Sequence, residues 1–185
     1  METNHTNSFT DVETLISNLQ TEDARNTRMM HNMQKMMWGI AALYVLISAM
    51  QFIINSSWNE KAGAVLILIA FIVFALLFSS YYRAFKTIDY GLPTIEMLSK
   101  AVNRYKAFQQ KGLFFLIPVI IEGVGLNLMM YKMLHNPSPL VRILIFQSGY
   151  LFLLVVGFLI GYLIWKKRQK PLRDHALALL KEIQS

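Results

Sequence analysis

The chain has 185 residues, 55% of them hydrophobic and only 16% charged, with a mean hydropathy of +0.39. That is too apolar for an ordinary soluble domain and points to the membrane. The lack of cysteine excludes disulfides, thiolate metal sites and cysteine nucleophiles. The formal net charge of +7 comes with no basic-aromatic motif, so it reads as a topology signal and not as a nucleic-acid surface.

Residues 1–7 are polar and are expected to be loose. Thr10 and Glu13 then have the spacing of a capping box, and Val12, Leu15, Ile16 and Leu19 follow at helical spacing. This predicts an amphipathic cytosolic helix within an N-terminal segment, 1–36. Continued, its stripe reaches Met29, Met33 and Met36, with Glu22 and Asn26 as interruptions. The first span is predicted over 37–54, close to the roughly 20 residues that a bilayer core requires. The polar leader in front of it, with Asp11, Glu13, Glu22 and Asp23, is unlike a cleaved signal peptide. Trp58 in the short linker suits a membrane interface.

The second span is predicted over 62–82, with Tyr81 and Tyr82 at its far end. In the connection 83–112, Pro93 suits a first helical turn, and Ile95, Leu98, Val102 and Tyr105 recur at three-and-four spacing. This second amphipathic helix is bordered by Arg83, Lys86, Lys100, Arg104, Lys106 and Lys111. The third span is predicted over 113–132, followed by a turn at His135–Pro139 in which two prolines end the helix. The fourth runs over 141–165, and a basic C-terminal segment, 166–185, carries a third stripe of Leu172, Ala176, Leu179, Leu180 and Ile183.

Of the eighteen Lys and Arg residues, only Lys61, Lys132 and Arg142 fall in the two short loops. The positive-inside rule therefore places both termini and the central loop in the cytosol. The expected fold is an all-α integral membrane protein: a four-helix transmembrane bundle over 37–165, plus amphipathic cytosolic helices at the N-terminus, central loop and C-terminus.

Glu122 lies near the middle of the third span, where a carboxylate in hydrocarbon is costly unless protonated, paired or wet. A protonated carboxyl donating one hydrogen bond is the expected resting state. Counting depth at about 1.5 Å per residue, Tyr44 and Tyr150 lie at comparable levels and are its candidate partners. Pro118, one turn earlier, frees a backbone carbonyl and makes the patch more polar. The site reads either as a proton- or cation-responsive group or as an interhelical packing contact. Asn127 and Gln147, at similar depth, suit an amide pair between helices. Gly149, Gly157 and Gly161 share one face of the fourth span, as for close helix packing or homodimerisation.

The methionines from Met29 to Met37, with Met129, Met130, Met133 and His135, offer soft ligands for Cu(I). At helical spacing they are more simply adaptable packing residues, and no metal or other cofactor is expected. No HExxH, GxSxG, Walker or GxGxxG signature is present, so catalysis is not expected.

At IDYGLPTIEMLSKAVNRY (Ile88 to Tyr105) and KPLRDHALALLKEI (Lys170 to Ile183), the chain resembles a group of uncharacterised small bacterial inner-membrane proteins, some accompanying extracytoplasmic-function sigma factors. The resemblance implies several spans, basic cytosolic helices and a regulatory or interaction role, with no catalytic residues to carry over. The sequence thus leads to a non-catalytic membrane protein that engages a partner, a second copy or an anionic cytosolic leaflet. The alternative is a small transporter or channel coupled through Glu122.

Overall fold

The computed structural model describes residues 3–54, 56–106, 110–130 and 138–184, with side chains throughout except at 3–10, 110–111, 139 and 184. Among the described residues all regular structure is helical: α1 (Thr3–Ile53), α2 (Trp58–Lys86), α3 (Thr94–Arg104), a 3₁₀ segment (Gln110–Phe115), α4 (Leu116–Met129), α5 (Pro139–Ile164), a π-helical turn (Trp165–Gln169) and α6 (Lys170–Gln184). Four of the helical stretches are long and apolar enough to cross a membrane: Asp11–Ile53, Trp58–Lys86, Gly112–Met129 and Leu140–Ile183. Each contains most of one predicted span. Lys132, Met133, His135 and most of the turn between the last two spans lie outside the described residues.

Three helix boundaries differ from expectation, each for a local reason. The first 38 residues contain neither Gly nor Pro, so nothing breaks α1 before or after its amphipathic stretch. It runs 51 residues from Thr3; residues 3–7 are helical, and Thr10 is an interior residue instead of a cap. Pro93 precedes the first turn of α3 as its N-cap, and its carbonyl accepts the Met97 N–H at 3.0 Å. The third difference is at the end of the chain, where α5, the π turn and α6 follow without a break. Pro171 has no N–H to offer the carbonyl one turn back, and the wider turn just before it, in which Lys170 N–H bonds Trp165 O, absorbs the mismatch.

The chain divides into two compact units. One comprises Met1–Met29, Tyr82–Gln109 and Leu159–Ser185, and the other Met30–Tyr81 and Gln110–Phe158. In the first, Leu15 and Leu19 of α1, Met97, Leu98 and Ala101 of α3, Tyr105, and Ala176 and Leu179 of α6 form one buried core. Val12, Ile16, Tyr90, Leu92, Val102, Leu172 and Leu180 pack around it. All three sequence stripes thus meet in a single cluster, and each fully buried leucine contributes roughly 1.5–3 kcal/mol. Ile95 and Ile183 do not join it and stay 45% and 46% exposed. Met97 and Ala101 take the place that Ile95 was expected to hold, because the buried face of α3 is centred on 97, 98, 101 and 105.

In the second unit α2 and α4 approach through glycine. A Cβ on Gly63 would lie 2.6 Å from Met129 N and 2.7 Å from Gly125 O, and one on Gly125 would lie 2.8 Å from Ile67 Cγ1. The buried residues of α2 are small apart from Ile67: Gly63, Ala64, Ala70 and Ala75. Close backbone approach of this kind is how helices pack where hydrocarbon removes the hydrophobic driving force between them. Aromatic rings add a second seam. Tyr44 stacks on Phe71 at 5.4 Å between centroids, and Phe115 meets Phe74, Phe78 and Tyr81 at 6.2, 5.1 and 5.5 Å.

Candidate functional site

The polar residues of the third and fourth apolar helices gather around one turn of α4. The Tyr150 hydroxyl on α5 lies 3.1 Å from Glu122 Oε2 and 3.0 Å from Val119 O. A hydroxyl carries one proton and a carbonyl only accepts. Both contacts are therefore satisfied when Tyr150 donates to Val119 and a protonated Glu122 donates to Tyr150. Of the two candidate partners, the structure selects Tyr150, while Tyr44 stacks on Phe71.

Asn127 and Gln147 do come together, but not as an amide pair. Asn127 Nδ2 donates to Gly123 O at 3.1 Å and Gln147 Nε2 donates to the same oxygen at 3.0 Å. A Cβ at Gly123 would sit 3.4 Å from the Tyr150 ring and 3.6 Å from Gln147 Nε2, ordinary van der Waals distances, so these contacts do not depend on glycine. Asn127 Oδ1 is buried with no hydrogen-bond partner among the described residues. The carbonyls that receive side chains are those of Val119 and Gly123, not the one Pro118 was expected to free. Pro118 itself is fully buried and serves packing. Among the described residues nothing packs on the glycine face of the fourth apolar stretch: a Cβ at Gly149, Gly157 or Gly161 would meet none of their atoms within 4 Å.

The most elaborate polar site is in the other unit, and sequence reasoning missed it. Asp23 is 3% exposed on α1. Its Oδ1 accepts the Tyr105 hydroxyl at 2.6 Å. Its Oδ2 accepts the Tyr90 hydroxyl at 2.5 Å and is paired with the Arg104 guanidinium. A buried carboxylate is tolerated when its lone pairs are met by donors and a cation, and both conditions hold here. Burial first, and then the hydrogen bonds to Asp23, push both phenols well above the ordinary tyrosine range, so they remain donors. Arg104 is the last residue of α3, where a cation also meets the negative end of the helix dipole.

Tyr105 joins this site to the rest of the unit. Its backbone N–H closes α3 on Ala101 O, and its carbonyl accepts Trp165 Nε1–H at 3.0 Å. Arg173 lies over the Trp165 ring at 5.6 Å. Gln169 of the π turn donates to Asn26 Oδ1 at 3.4 Å. Asn26, read from the sequence as an interruption of the stripe, is 4% exposed on the same face as Leu15, Leu19 and Asp23. The face does not end at Leu19 but changes from apolar to polar. The signal was the spacing 15, 19, 23: a carboxylate in core register needs a cation and donors to meet it.

Comparison with protein-family models, with curated proteins and with solved structures finds no match for this chain.

Proposed function

We propose that this chain is a non-catalytic multi-pass membrane protein of the bacterial inner membrane, with both termini in the cytosol. The three amphipathic segments outside its transmembrane bundle form a helical module that engages a protein partner or a second copy. The observation that carries this reading is the shared core of α1, α3 and α6, cross-linked by Asp23. Two spans separate the first segment from the second and two more separate the second from the third. A common core requires an even number of crossings between them, which agrees with the distribution of Lys and Arg. Three segments that bury their stripes against one another present a shaped polar surface, suited to recognition rather than to lying on lipid.

Affinity capture from mild detergent, with the molar mass of the purified chain measured by light scattering, tests this function. A specific partner or a defined oligomer supports it; a strict monomer with no specific partner counts against it. The competing role, a transporter or channel coupled through Glu122, draws on the depth of that carboxyl in an apolar helix. Its contact with Tyr150, and that of Tyr150 with Val119, fit a packing bond between helices more closely. Proton or cation flux in liposomes that is abolished by Glu122→Gln would reverse this preference.

A further inference from the structure

The end of α5 is a step from apolar to basic surface. Leu159, Ile160, Leu163 and Ile164, in the last two turns of the helix, are exposed. Lys166, Lys167, Arg168 and Lys170 follow at once. No Asp or Glu occurs from Gly123 to Arg173, and Asp174 is paired with Arg173, so the field at the π turn is cationic. The turn is held from two sides. Trp165 Nε1–H donates to Tyr105 O at 3.0 Å, and the Trp165 ring lies 5.7 Å from that of Tyr162. Gln169 Nε2 donates to Asn26 Oδ1 at 3.4 Å. Lys166 and Lys167 stand between these two anchors in the chain and are themselves exposed. Their backbone is thus fixed before a ligand arrives, which lowers the cost of binding one.

Leu163 precedes Lys166 by three residues and Lys167 by four, the separations at which helical side chains are neighbours. The exposed surface therefore changes from apolar to cationic within about one turn. An acidic peptide or a nucleic acid would match the charge and leave the apolar side chains uncovered. A membrane phospholipid has both parts in the required order, acyl chains along the span and a phosphate at its end, and a cluster of Lys and Arg directly beyond a span is the pattern that attracts anionic headgroups. We propose that the π turn selects an anionic phospholipid, with its phosphate on Lys166 and Lys167 and its chains along Ile160, Leu163 and Ile164. This rests on the reading of α5 as a span that ends in the cytosol, and it adds a lipid ligand to the protein contacts of the helical module.

The full-length chain, stripped of lipid in detergent, is offered equal amounts of dioleoyl phosphatidylglycerol and dioleoyl phosphatidylcholine, and the lipids it retains are read by native mass spectrometry. The two share acyl chains and a phosphate, but only the first has a net charge. Phosphatidylglycerol is retained at least about fivefold more strongly, the contribution of one basic residue at an anionic headgroup. Lys166→Gln with Lys167→Gln brings the ratio below about twofold, and Lys166→Arg with Lys167→Arg keeps it. Lys181→Gln removes a charge about 22 Å further along the helix and leaves the ratio unchanged. All three side chains are exposed, so these variants keep the fold. Equal retention of both lipids by the unmodified chain, a ratio unchanged in the double glutamine variant, or an equal loss in Lys181→Gln overturns the proposal. Displacement of the lipid by soluble glycerol phosphate does so too, since it leaves the chains no role. Insertion into nanodiscs of pure phosphatidylcholine is scored separately: a chain that enters them and shows no lipid preference loses this proposal alone, and one that cannot enter them loses the membrane reading as well.

Discussion

Replacing Asp23 with alanine tests whether the buried carboxylate holds the α1–α3–α6 unit together. The substitution leaves the Tyr105 hydroxyl, in a residue only 1% exposed, without its acceptor, a loss of about 1–3 kcal/mol. It also takes from Arg104, whose side chain is 18% exposed, its buried carboxylate, and removing one partner of a buried pair costs about 3–5 kcal/mol. The two losses share one site and do not add, so the net effect is about 4 kcal/mol. That corresponds to roughly a thousandfold rise in the opening equilibrium of the unit. Hydrogen exchange of the α3 and α6 amides in detergent reads this directly, with the α2 and α4 amides of the other unit as an internal control. Replacing the pair together, Asp23→Leu with Arg104→Met, recovers part of the loss because no unpaired charge remains. Acceleration below about fivefold in Asp23→Ala, under the roughly 1 kcal/mol expected of a surface pair, would refute the reasoning.

Further expectations follow from the same geometry. Tyr90 and Tyr105 are held above their ordinary value of 10.0 when folded. Their contribution is therefore complete below pH 10, where both states are protonated, and is lost as pH rises past it and only the unfolded chain ionises. The unit should lose up to about 1.4 kcal/mol per pH unit per tyrosine, and Tyr90→Phe should flatten that slope in alkaline unfolding followed by Trp165 fluorescence. Gly63→Ala drives a methyl against backbone atoms of α4, so it should destabilise the second unit by about 1–3 kcal/mol in thermal unfolding. Gly149→Ala meets only open space and should be neutral or stabilising by up to about 1 kcal/mol, the helix-propensity gain. Leu98→Ala, in a fully buried residue, should cost the first unit about 2–5 kcal/mol.

Much of the architecture was legible because it rests on local patterns. Four apolar runs of bilayer length, and stripes such as Leu15–Leu19 and Ala176–Leu179, declare their faces without knowledge of any partner. Helix ends were less so. Thr10 has the chemistry of a cap, but with no breaker on either side the helix runs through it. The Asp23 site escaped because hydropathy scores a carboxylate and an amide as ends of a stripe, whereas burial can keep them in register when Tyr90, Tyr105 and Arg104 arrive from 67 to 82 residues away. The glycines show the same limit. Gly149, Gly157 and Gly161 have the conspicuous spacing, yet the close crossing uses Gly63 and Gly125, which form no motif within either helix. Contact between backbones depends on which helices become neighbours, and one helix's sequence does not state that.

The lack of native cysteine makes one measurement decisive for the central claim that three separated segments form one module on a single side of the membrane. Asn18→Cys, Ser99→Cys and Lys181→Cys, at exposed positions of α1, α3 and α6, are labelled one at a time in intact bacterial cells with a membrane-impermeant maleimide. The account requires all three to stay unlabelled until the membrane is opened, and then to react together. Labelling of any one of them from outside, with the others protected, would contradict it.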